Sequence, residues 1–170
     1  MGSDKSGVTL MEYADFQCPF CGQYYPLVTQ VVEKYKDQIH YQYRHLPLIQ
    51  VHQHALAAAR AAEAADKQGK FWEMYNLIFQ NQKTWSESQD ATVNFEQYAT
   101  QLGLNLQQYK KDVASPQTND IINADIAEFK KTKQPMSTPT FFLDGKKIQP
   151  TSLDEFSKLI DAAIAAKKQQ

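Results

Sequence analysis

Two cysteines are the residues of this sequence best suited to chemistry. They are its only cysteines, and they lie in the run Cys18-Pro19-Phe20-Cys21. This spacing is too tight for a structural disulfide between distant elements. At the first turn of a helix, unpaired N–H groups and the helix dipole stabilise a thiolate, and in Cys-x-x-Cys motifs the thiol pKa falls to about 3.5–7. The pair is therefore predicted to carry two electrons, as dithiol or disulfide, and to exchange them with thiols of another protein.

The two thiols are predicted to have different roles. Cys18 stands at the start of the helix, and Cys21 lies about one turn further in, near enough to attack a mixed disulfide formed on Cys18. Half of a zinc site is one alternative, but a second cysteine pair is missing, and His52 and His54 are two apart on a predicted helix and point in different directions. A pair that merely fills core space is the other alternative. The sequence favours redox exchange, with no metal and no cofactor beyond the Cys18–Cys21 disulfide.

The elements that position the cysteines follow from the hydrophobic pattern. Residues 8–13 are β-prone and apolar on both faces, which predicts an inner strand. Residues 39–44 predict a second strand. Between them, an apolar stripe indicates an amphipathic helix from near Cys18, with Pro19 in its first turn and a kink at Pro26. The members of the stripe are Phe20, Tyr24, Leu27, Val28, Val31 and Tyr35. Residues 8–45 thus predict a right-handed βαβ unit.

The rest of the chain divides into a helical block and a closing ββα unit. No convincing strand occurs over residues 51–131, where helices are predicted at 52–67, 70–82, 92–102, 105–114 and 116–132, with Asn105 and Ser115 as caps. Residues 140–143 and 146–148 flank an Asp-Gly turn and predict a β-hairpin, and a last helix follows Ser152. We expect one α/β domain over residues 1–170, with a mixed four-stranded sheet and a helical insertion over about 51–131.

Composition narrows the class of protein. The chain has 170 residues, 42% of them hydrophobic and 22% charged, as in a globular protein. Its net charge is −1, and only Arg44 and Arg60 are arginines, which argues against a nucleic-acid partner. No apolar run exceeds five residues, too short for a membrane-spanning helix. Residues 1–7 lack an apolar signal core and are predicted to be a linker or an added segment, so a signal or anchor is expected to lie outside this chain.

Two residues away from the cysteines add to the prediction. Glu12 shares a strand face with Val8 and Leu10, which favours a buried carboxylate with a raised pKa, although a strand-end carboxylate that reaches solvent is equally compatible. Pro139 immediately precedes the third predicted strand. Its context suits a cis peptide bond in a tight turn, and an ordinary trans proline is the alternative.

Three stretches of the sequence resemble the bacterial DsbA family of thiol-disulfide oxidoreductases. They are residues 8–21 (VTLMEYADFQCPFC), residues 137–145 (STPTFFLDG) and the alanine-rich stretch at 54–59 (HALAAA). The resemblance covers essentially residues 8–165 and implies a thioredoxin fold with a helical insertion. It implies Cys18 as the exposed nucleophile, Cys21 as the resolving thiol, Pro139 as a cis-proline facing the disulfide, and Glu12 as the buried acid that relays a proton.

The sequence departs from the usual pattern of this family at two places. Phe20 stands where the best-known DsbA has a histidine, which removes one polar contribution to thiolate stability, and Gln134-Pro135-Met136 is an unusual lead-in to Ser137. Four residues are predicted to bind substrate, namely Pro19, Phe20, Thr138 and Phe16. Phe16, Phe20 and Tyr24 could form an apolar rim for unfolded polypeptide. They could equally be core residues, an alternative that the pattern favours for Phe16 and Tyr24.

The function that we expect is disulfide donation to reduced or unfolded proteins outside the cytoplasm, by a monomer that a membrane or soluble redox partner re-oxidises. Two alternatives stay open. The site could be kept reduced and act as an isomerase or reductase, or the chain could be a non-catalytic redox-sensing or partner-binding domain, since close relatives of this fold occur fused to membrane proteins.

Overall fold

A mixed four-stranded sheet lies at the centre of the fold. The computed structural model describes residues 1–169. The strands are β1 (Thr9–Ala14), β2 (His40–His45), β3 (Thr140–Leu143) and β4 (Lys146–Ile148). They are arranged in the order β2-β1-β3-β4, in which β1 and β2 are parallel and the other two pairs are antiparallel. The predicted βαβ unit and β-hairpin therefore share one sheet, and the expected thioredoxin fold class is confirmed.

The hairpin is closed by Asp144 and Gly145. Their φ angles are 48° and 77°. Left-handed φ at both central residues is what a two-residue type I′ turn requires, and an Asp-Gly pair supplies it at little steric cost. The Asp144 carboxylate also accepts a hydrogen bond from the backbone N–H of Thr9 at 2.8 Å. This contact ties the turn to β1.

Helices cover both faces of the sheet. Among them are α1 (Pro19–Tyr35), α7 (Pro116–Lys131) and α8 (Leu153–Lys167). On one face, Phe141 of β3 packs edge-on against Phe156 of α8 at 5.2 Å, in the same core as the buried side of α1. On the other face, Phe129 of α7 contacts Tyr13 of β1 at 5.0 Å. These aromatic contacts hold the sheet between the helices on its two faces. β1 is the strand that leads into Cys18.

The helical insertion contains one more helix than the sequence predicts. Besides α7, it consists of α2 (Ala55–Asp66), α3 (Phe71–Gln80), α4 (Gln82–Ser86), α5 (Ala91–Gln101) and α6 (Leu106–Val113). The predicted helix over 70–82 is wrong at its end, because Asn81 leaves the helical conformation (φ −111°, ψ 17°) and α4 begins after it. The fully buried Trp85 holds α4, with its Nε1–H donating to the carbonyl of Ile78 at 2.7 Å.

The predicted caps are present. The side chain of Asn105 accepts a hydrogen bond from the N–H of Gln108, and the hydroxyl of Ser115 accepts one from Thr118. Ser152 caps α8 in the same way. These local signals explain why the boundaries of α6, α7 and α8 agree with the prediction to within about one residue.

The first six residues lie along the free edge of β2. The amino group of Met1 donates to the carbonyl of Tyr41 at 2.9 Å, and the N–H of Ser3 donates to Ile39 at 2.9 Å. The segment predicted as a linker is thus hydrogen-bonded to the sheet. Among residues 1–169, no helix combines the length and the apolar character needed to cross a bilayer.

Candidate active site

Cys18 occupies the N-cap position of α1. Its backbone is extended (φ −65°, ψ 123°), and Pro19 follows as the first helical residue. A proline there loses no helical hydrogen bond, because the first N–H groups of a helix have no partner within it. The N–H of Cys18 donates to the carbonyl of Asp15 at 3.1 Å, and its own carbonyl accepts from the N–H of Gly22 at 3.1 Å. The sequence thus places the first thiol where unpaired N–H groups converge.

The surroundings of Cys18 favour its thiolate. Its pKa is lowered to about 5, first by a hydrogen bond from the Cys21 side chain. Burial opposes this shift, while the side chain of Thr138 and the N–H groups of Cys21 and Phe20 add to it. Hydrogen bonds to the charged form stabilise that form and so lower the pKa. At neutral pH the sulfur of Cys18 is therefore mostly ionised and ready for nucleophilic attack.

Cys21 has the opposite properties. Its side chain is completely buried, and its pKa is raised well above the ordinary value, first by burial and then by the hydrogen bond to Cys18 and the negative charges of Cys18 and Glu12. Both cysteines are free thiols in this structure. The reduced pair is thus one thiolate, Cys18, that accepts a hydrogen bond from one thiol, Cys21.

The exposure of Cys18 differs from the expectation. The resemblance implies an exposed nucleophile, but the residue is only 4% exposed. The cause is the loop before β3, which lies across the sulfur, with the carbonyl oxygen of Thr138 3.4 Å from Sγ of Cys18. Cys18 nevertheless remains the more accessible of the two thiols, because Cys21 has no exposed surface.

The loop that covers Cys18 contains a cis peptide bond between Thr138 and Pro139. β3 begins directly afterwards, and the hydroxyl of Thr140 donates to the carbonyl of Ser137 at 2.8 Å. The hydroxyl of Thr138 is buried and has no hydrogen-bond partner among residues 1–169. Since the side chain of Thr138 lowers the pKa of Cys18, we expect this hydroxyl to donate to the Cys18 thiolate.

Glu12 lies beneath the cysteines on β1. The side chain is buried, and burial raises its pKa to about 7, against the effect of a hydrogen bond donated by the hydroxyl of Tyr41. The alternative of a carboxylate that reaches solvent is wrong. The charge of Glu12 raises the pKa of Cys21, so the two groups are close enough to interact. A carboxyl group that titrates near neutrality can accept and return a proton under physiological conditions.

A cavity of about 500 Å³ lies next to the cysteine turn, and both aromatic and polar side chains line it. Phe20, which is 62% exposed, lines it together with Thr138 and Pro139 of the loop before β3. Tyr24 is partly buried and also lines the cavity, with its ring 5.5 Å from that of Phe141. Pro19 is exposed beside Phe20. Three of the four predicted substrate-binding residues, namely Pro19, Phe20 and Thr138, therefore lie in or beside this cavity.

Phe16 is the exception. It was predicted to bind substrate, but it is only 1% exposed and its ring stacks on Tyr43 at 5.0 Å. It also contacts Phe79 of α3 at 4.9 Å. The chain turns after β1 so that this ring fills the junction between the sheet and the insertion. Phe16 is a core residue, as the alternative interpretation had it.

Several residues that support the site were missed by sequence reasoning. The buried carboxylate of Asp15 accepts hydrogen bonds from the N–H of Leu48 at 2.8 Å and from Nδ1 of His52 at 2.7 Å. Tyr41 donates to Glu12, and Gln82 reaches the cysteine turn from the insertion. No short motif marks these partners, although the alternation of tyrosines along β2 could have indicated that Tyr41 faces the same side as Glu12.

The histidines considered for a zinc site point apart, as predicted. His52 pairs with Asp15, whereas Nε2 of His54 lies 2.9 Å from the carbonyl of Ser88. Both precede α2 rather than lie on it, because the helix begins at Ala55. Over residues 1–169 no group of three or more His, Cys, Asp or Glu side chains is placed to hold a metal ion.

The fold and the site together define a thioredoxin-fold domain with a dithiol at the start of a helix. The sequence model of the family described as Thioredoxin matches residues 1–162. The chain therefore belongs to the thioredoxin family, as the resemblance predicts. Its fold is that of the DsbA proteins: the crystal structure of Wolbachia pipientis alpha-DsbA1 superimposes with a TM-score of 0.85 at 20% identity, covering 98% of this chain and 90% of that one.

Two further similarities concern an oxidoreductase and a transporter. The crystal structure of a thioredoxin-like oxidoreductase from Silicibacter pomeroyi has a TM-score of 0.77 at 26% identity, over 99% of this chain and 91% of that one. The Na(+)/H(+) antiporter NhaA 3 of Salinispora tropica is 36% identical over 171 residues, which cover 97% of this chain. The chain spans only about a quarter of the length of the curated antiporters that it matches, 24% in this case.

Proposed function

We propose that this protein is a thiol-disulfide oxidoreductase that exchanges its Cys18–Cys21 disulfide with thiols of substrate proteins. The observation that carries the proposal is the pair of opposite pKa shifts within one helical turn. The pKa of Cys18 is lowered to about 5, and that of Cys21 is raised. A thiolate of low basicity is a good leaving group, so a mixed disulfide on Cys18 is readily resolved toward the substrate.

In the donor direction, a substrate thiolate attacks Sγ of Cys18 and breaks the bond to Cys21. A mixed disulfide forms, and Cys21 leaves as a thiolate that takes a proton from Glu12. A second substrate thiolate then attacks the substrate sulfur, and Cys18 leaves as a stable thiolate. Two electrons pass from the substrate to the protein, and the substrate gains a disulfide. In the reverse direction Cys21 must lose its proton, and the carboxylate of Glu12 accepts it.

We further propose that the donor direction is the physiological one. The pKa of Cys18 at about 5 lies between the values of about 3.5 and 7 known for the oxidant DsbA and for thioredoxin. The cavity beside Phe20 suits the apolar side chains of an unfolded polypeptide. Oxidative folding takes place outside the cytoplasm, so an extracytoplasmic location and a membrane or soluble partner that re-oxidises a monomeric enzyme belong to the same proposal.

Catalysed oxidation of a reduced, unfolded protein tests this function. We expect the oxidised protein to form disulfides in reduced ribonuclease faster than glutathione disulfide alone, and C18A to have no such activity. If the protein instead reduces insulin efficiently and fails with ribonuclease, the isomerase or reductase alternative is correct.

A second function is favoured by one observation, the match to antiporters of which this chain covers about a quarter. A thioredoxin-fold domain that accompanies a transporter could sense redox state or bind a partner without turnover. Such a domain would neither oxidise ribonuclease nor reduce insulin beyond a single equivalent. The same two assays therefore separate the catalytic functions from the non-catalytic one.

A further inference from the structure

Gln82 connects the helical insertion to the cysteine turn. Its side-chain Nε2 donates to the carbonyl of Phe16 at 2.7 Å and to the carbonyl of Cys18 at 2.8 Å. A primary amide has two N–H groups, and here each has an acceptor on the two residues that bracket Gln17. A residue 64 positions further along the chain thus holds the backbone on which the nucleophile sits.

Gly22 provides the space for this contact. A Cβ atom on Gly22 would lie 2.2 Å from Oε1 of Gln82, closer than any tolerated contact. Gly22 lies within α1, where glycine is less favourable than alanine, and its φ is not in the left-handed region. Its backbone conformation therefore does not require a glycine, whereas the approach of the Gln82 amide does.

We propose that Gln82 is a positioning residue for Cys18, and that Gly22 is the complementary half of the same contact. The proposal rests on the thiol-disulfide exchange proposed above. The carbonyl of Cys18 has two donors, the helical N–H of Gly22 at 3.1 Å and the amide of Gln82. Together they fix the peptide plane that follows the nucleophile. The N–H groups of Phe20 and Cys21, which stabilise the thiolate, keep their direction toward Sγ because that plane is fixed.

A neighbouring glutamine supplies the matched comparison. Gln80, at the end of α3, also reaches from the insertion toward α1, and its Nε2 donates to the hydroxyl of Tyr25 at 3.2 Å. This hydrogen bond joins the same two parts of the molecule but does not touch the cysteine turn. If Gln82 only fastened the insertion, loss of either glutamine would have the same consequences.

The test is a double-mutant cycle of Q82A and G22A, with Q80A as control. The readout is the ultraviolet absorbance of the thiolate as a function of pH in the reduced protein. We expect Q82A to raise the pKa of Cys18 by up to about 1, the size of one lost hydrogen bond. G22A should produce a similar rise by displacing the flexible amide, and the double variant should show no further rise, since the two changes remove one contact. Q80A should leave the pKa unchanged.

The equilibrium with glutathione gives a second readout. Where the pKa of Cys18 rises in Q82A and G22A, the Cys18–Cys21 disulfide should become a weaker oxidant. We expect its exchange constant with glutathione to change by up to about tenfold, which lowers the reduction potential by up to about 30 mV. The proposal is overturned if the pKa of Cys18 is unchanged in Q82A, if G22A does not reproduce the rise, if the two effects add, or if Q80A matches Q82A. A wild-type protein that shows the titration but exchanges no disulfide would instead contradict the proposed function, so the two failures are distinguishable.

Discussion

Cys18 and Cys21 belong to one turn of α1, yet they face two different regions. The outer region is formed by the loop before β3 and the cavity beside Phe20, and in it the side chain of Thr138 and the N–H group of Phe20 lower the pKa of Cys18. The inner region surrounds Cys21 with the core beside β1, where the charge of the buried Glu12 helps to raise its pKa. The same thiol group has a lowered pKa in the first region and a raised pKa in the second.

This difference separates two tasks that one environment could not perform. Attack on a substrate needs a thiolate at neutral pH, and hydrogen bonds from the Cys21 thiol and from the outer region stabilise that charge on Cys18. Resolution of the mixed disulfide needs a thiol that stays protonated until it reacts, and burial keeps Cys21 in that state. The inner region therefore needs a base, which explains why a carboxyl group whose pKa is about 7 lies there. Hydrogen bonds to Cys18 and the burial of Cys21, rather than the cysteine sequence itself, divide the work.

The largest expected effects come from the cysteines. C18A should abolish exchange, and C21A should accumulate mixed disulfides through Cys18 because the resolving attack is lost. C21S sharpens the comparison, since its hydroxyl can still donate to the Cys18 thiolate. We expect both variants to trap substrate, whereas only C21A should raise the pKa of Cys18.

Mass spectrometry after a brief reaction with iodoacetamide should find Cys18 modified first in the wild-type protein; preferential modification of Cys21 would reverse the two roles.

A smaller but still large effect is expected from E12Q. Without the buried base, resolution by Cys21 should slow by about a hundredfold near neutral pH. The rate of attack by Cys18 on a model disulfide should change little, because Glu12 belongs to the inner region. Rapid-mixing measurement of the two steps separates them. Equal slowing of both steps would show that the two regions are not independent.

E12Q should also change the dependence of stability on pH. The pKa of Glu12 is raised in the folded protein to about 7, so its contribution to stability is complete below the unfolded pKa and is lost as pH rises through the folded one. The oxidised protein isolates this effect, since its cysteines do not titrate. We expect E12Q to be more stable than wild type at pH 8 by about 3 kcal/mol and equally stable at pH 4. Urea titrations that remain parallel across this range would contradict the burial of an ionisable Glu12.

The smallest expected effect lies in the outer region. T138V removes the buried hydroxyl that serves the Cys18 thiolate, and should raise the pKa of Cys18 by about 0.5 to 1. T138S keeps the hydroxyl and should restore the wild-type titration. The pKa of Glu12, followed by the pH dependence of the resolution rate, should not respond to either change. A response there would mean that the loop before β3 influences both regions.

The local parts of this arrangement could be predicted from the sequence. The cysteine spacing, the proline at the first helical position, the Asp-Gly turn and the side-chain caps are each decided by residues within one turn of each other. The strand predicted over residues 8–13 placed Glu12 on the same face as Val8 and Leu10, which left its burial and its access to solvent equally compatible with the sequence. These signals gave the strand and helix order, and with it the fold.

The long-range parts could not be predicted in this way. The local pattern leaves Phe16 either at an apolar rim or in the core, and its contacts with Tyr43 and Phe79, which are distant in sequence, place it in the core. The low exposure of Cys18 depends on a loop 120 residues away. α4 depends on the burial of Trp85 rather than on a strong periodic pattern. In each case the deciding contact is tertiary, and the local sequence is compatible with more than one outcome.

The reduction potential of the Cys18–Cys21 pair tests the central claim most directly. If the outer region stabilises the Cys18 thiolate and thereby the reduced form, the potential measured by equilibration with glutathione should lie between about −120 and −180 mV, the range of disulfide donors and isomerases. C21A cannot give this number because it lacks the redox pair, whereas the wild-type protein can. A value near about −270 mV, as in thioredoxin, would contradict the account, because a pair that holds its disulfide so firmly cannot donate it.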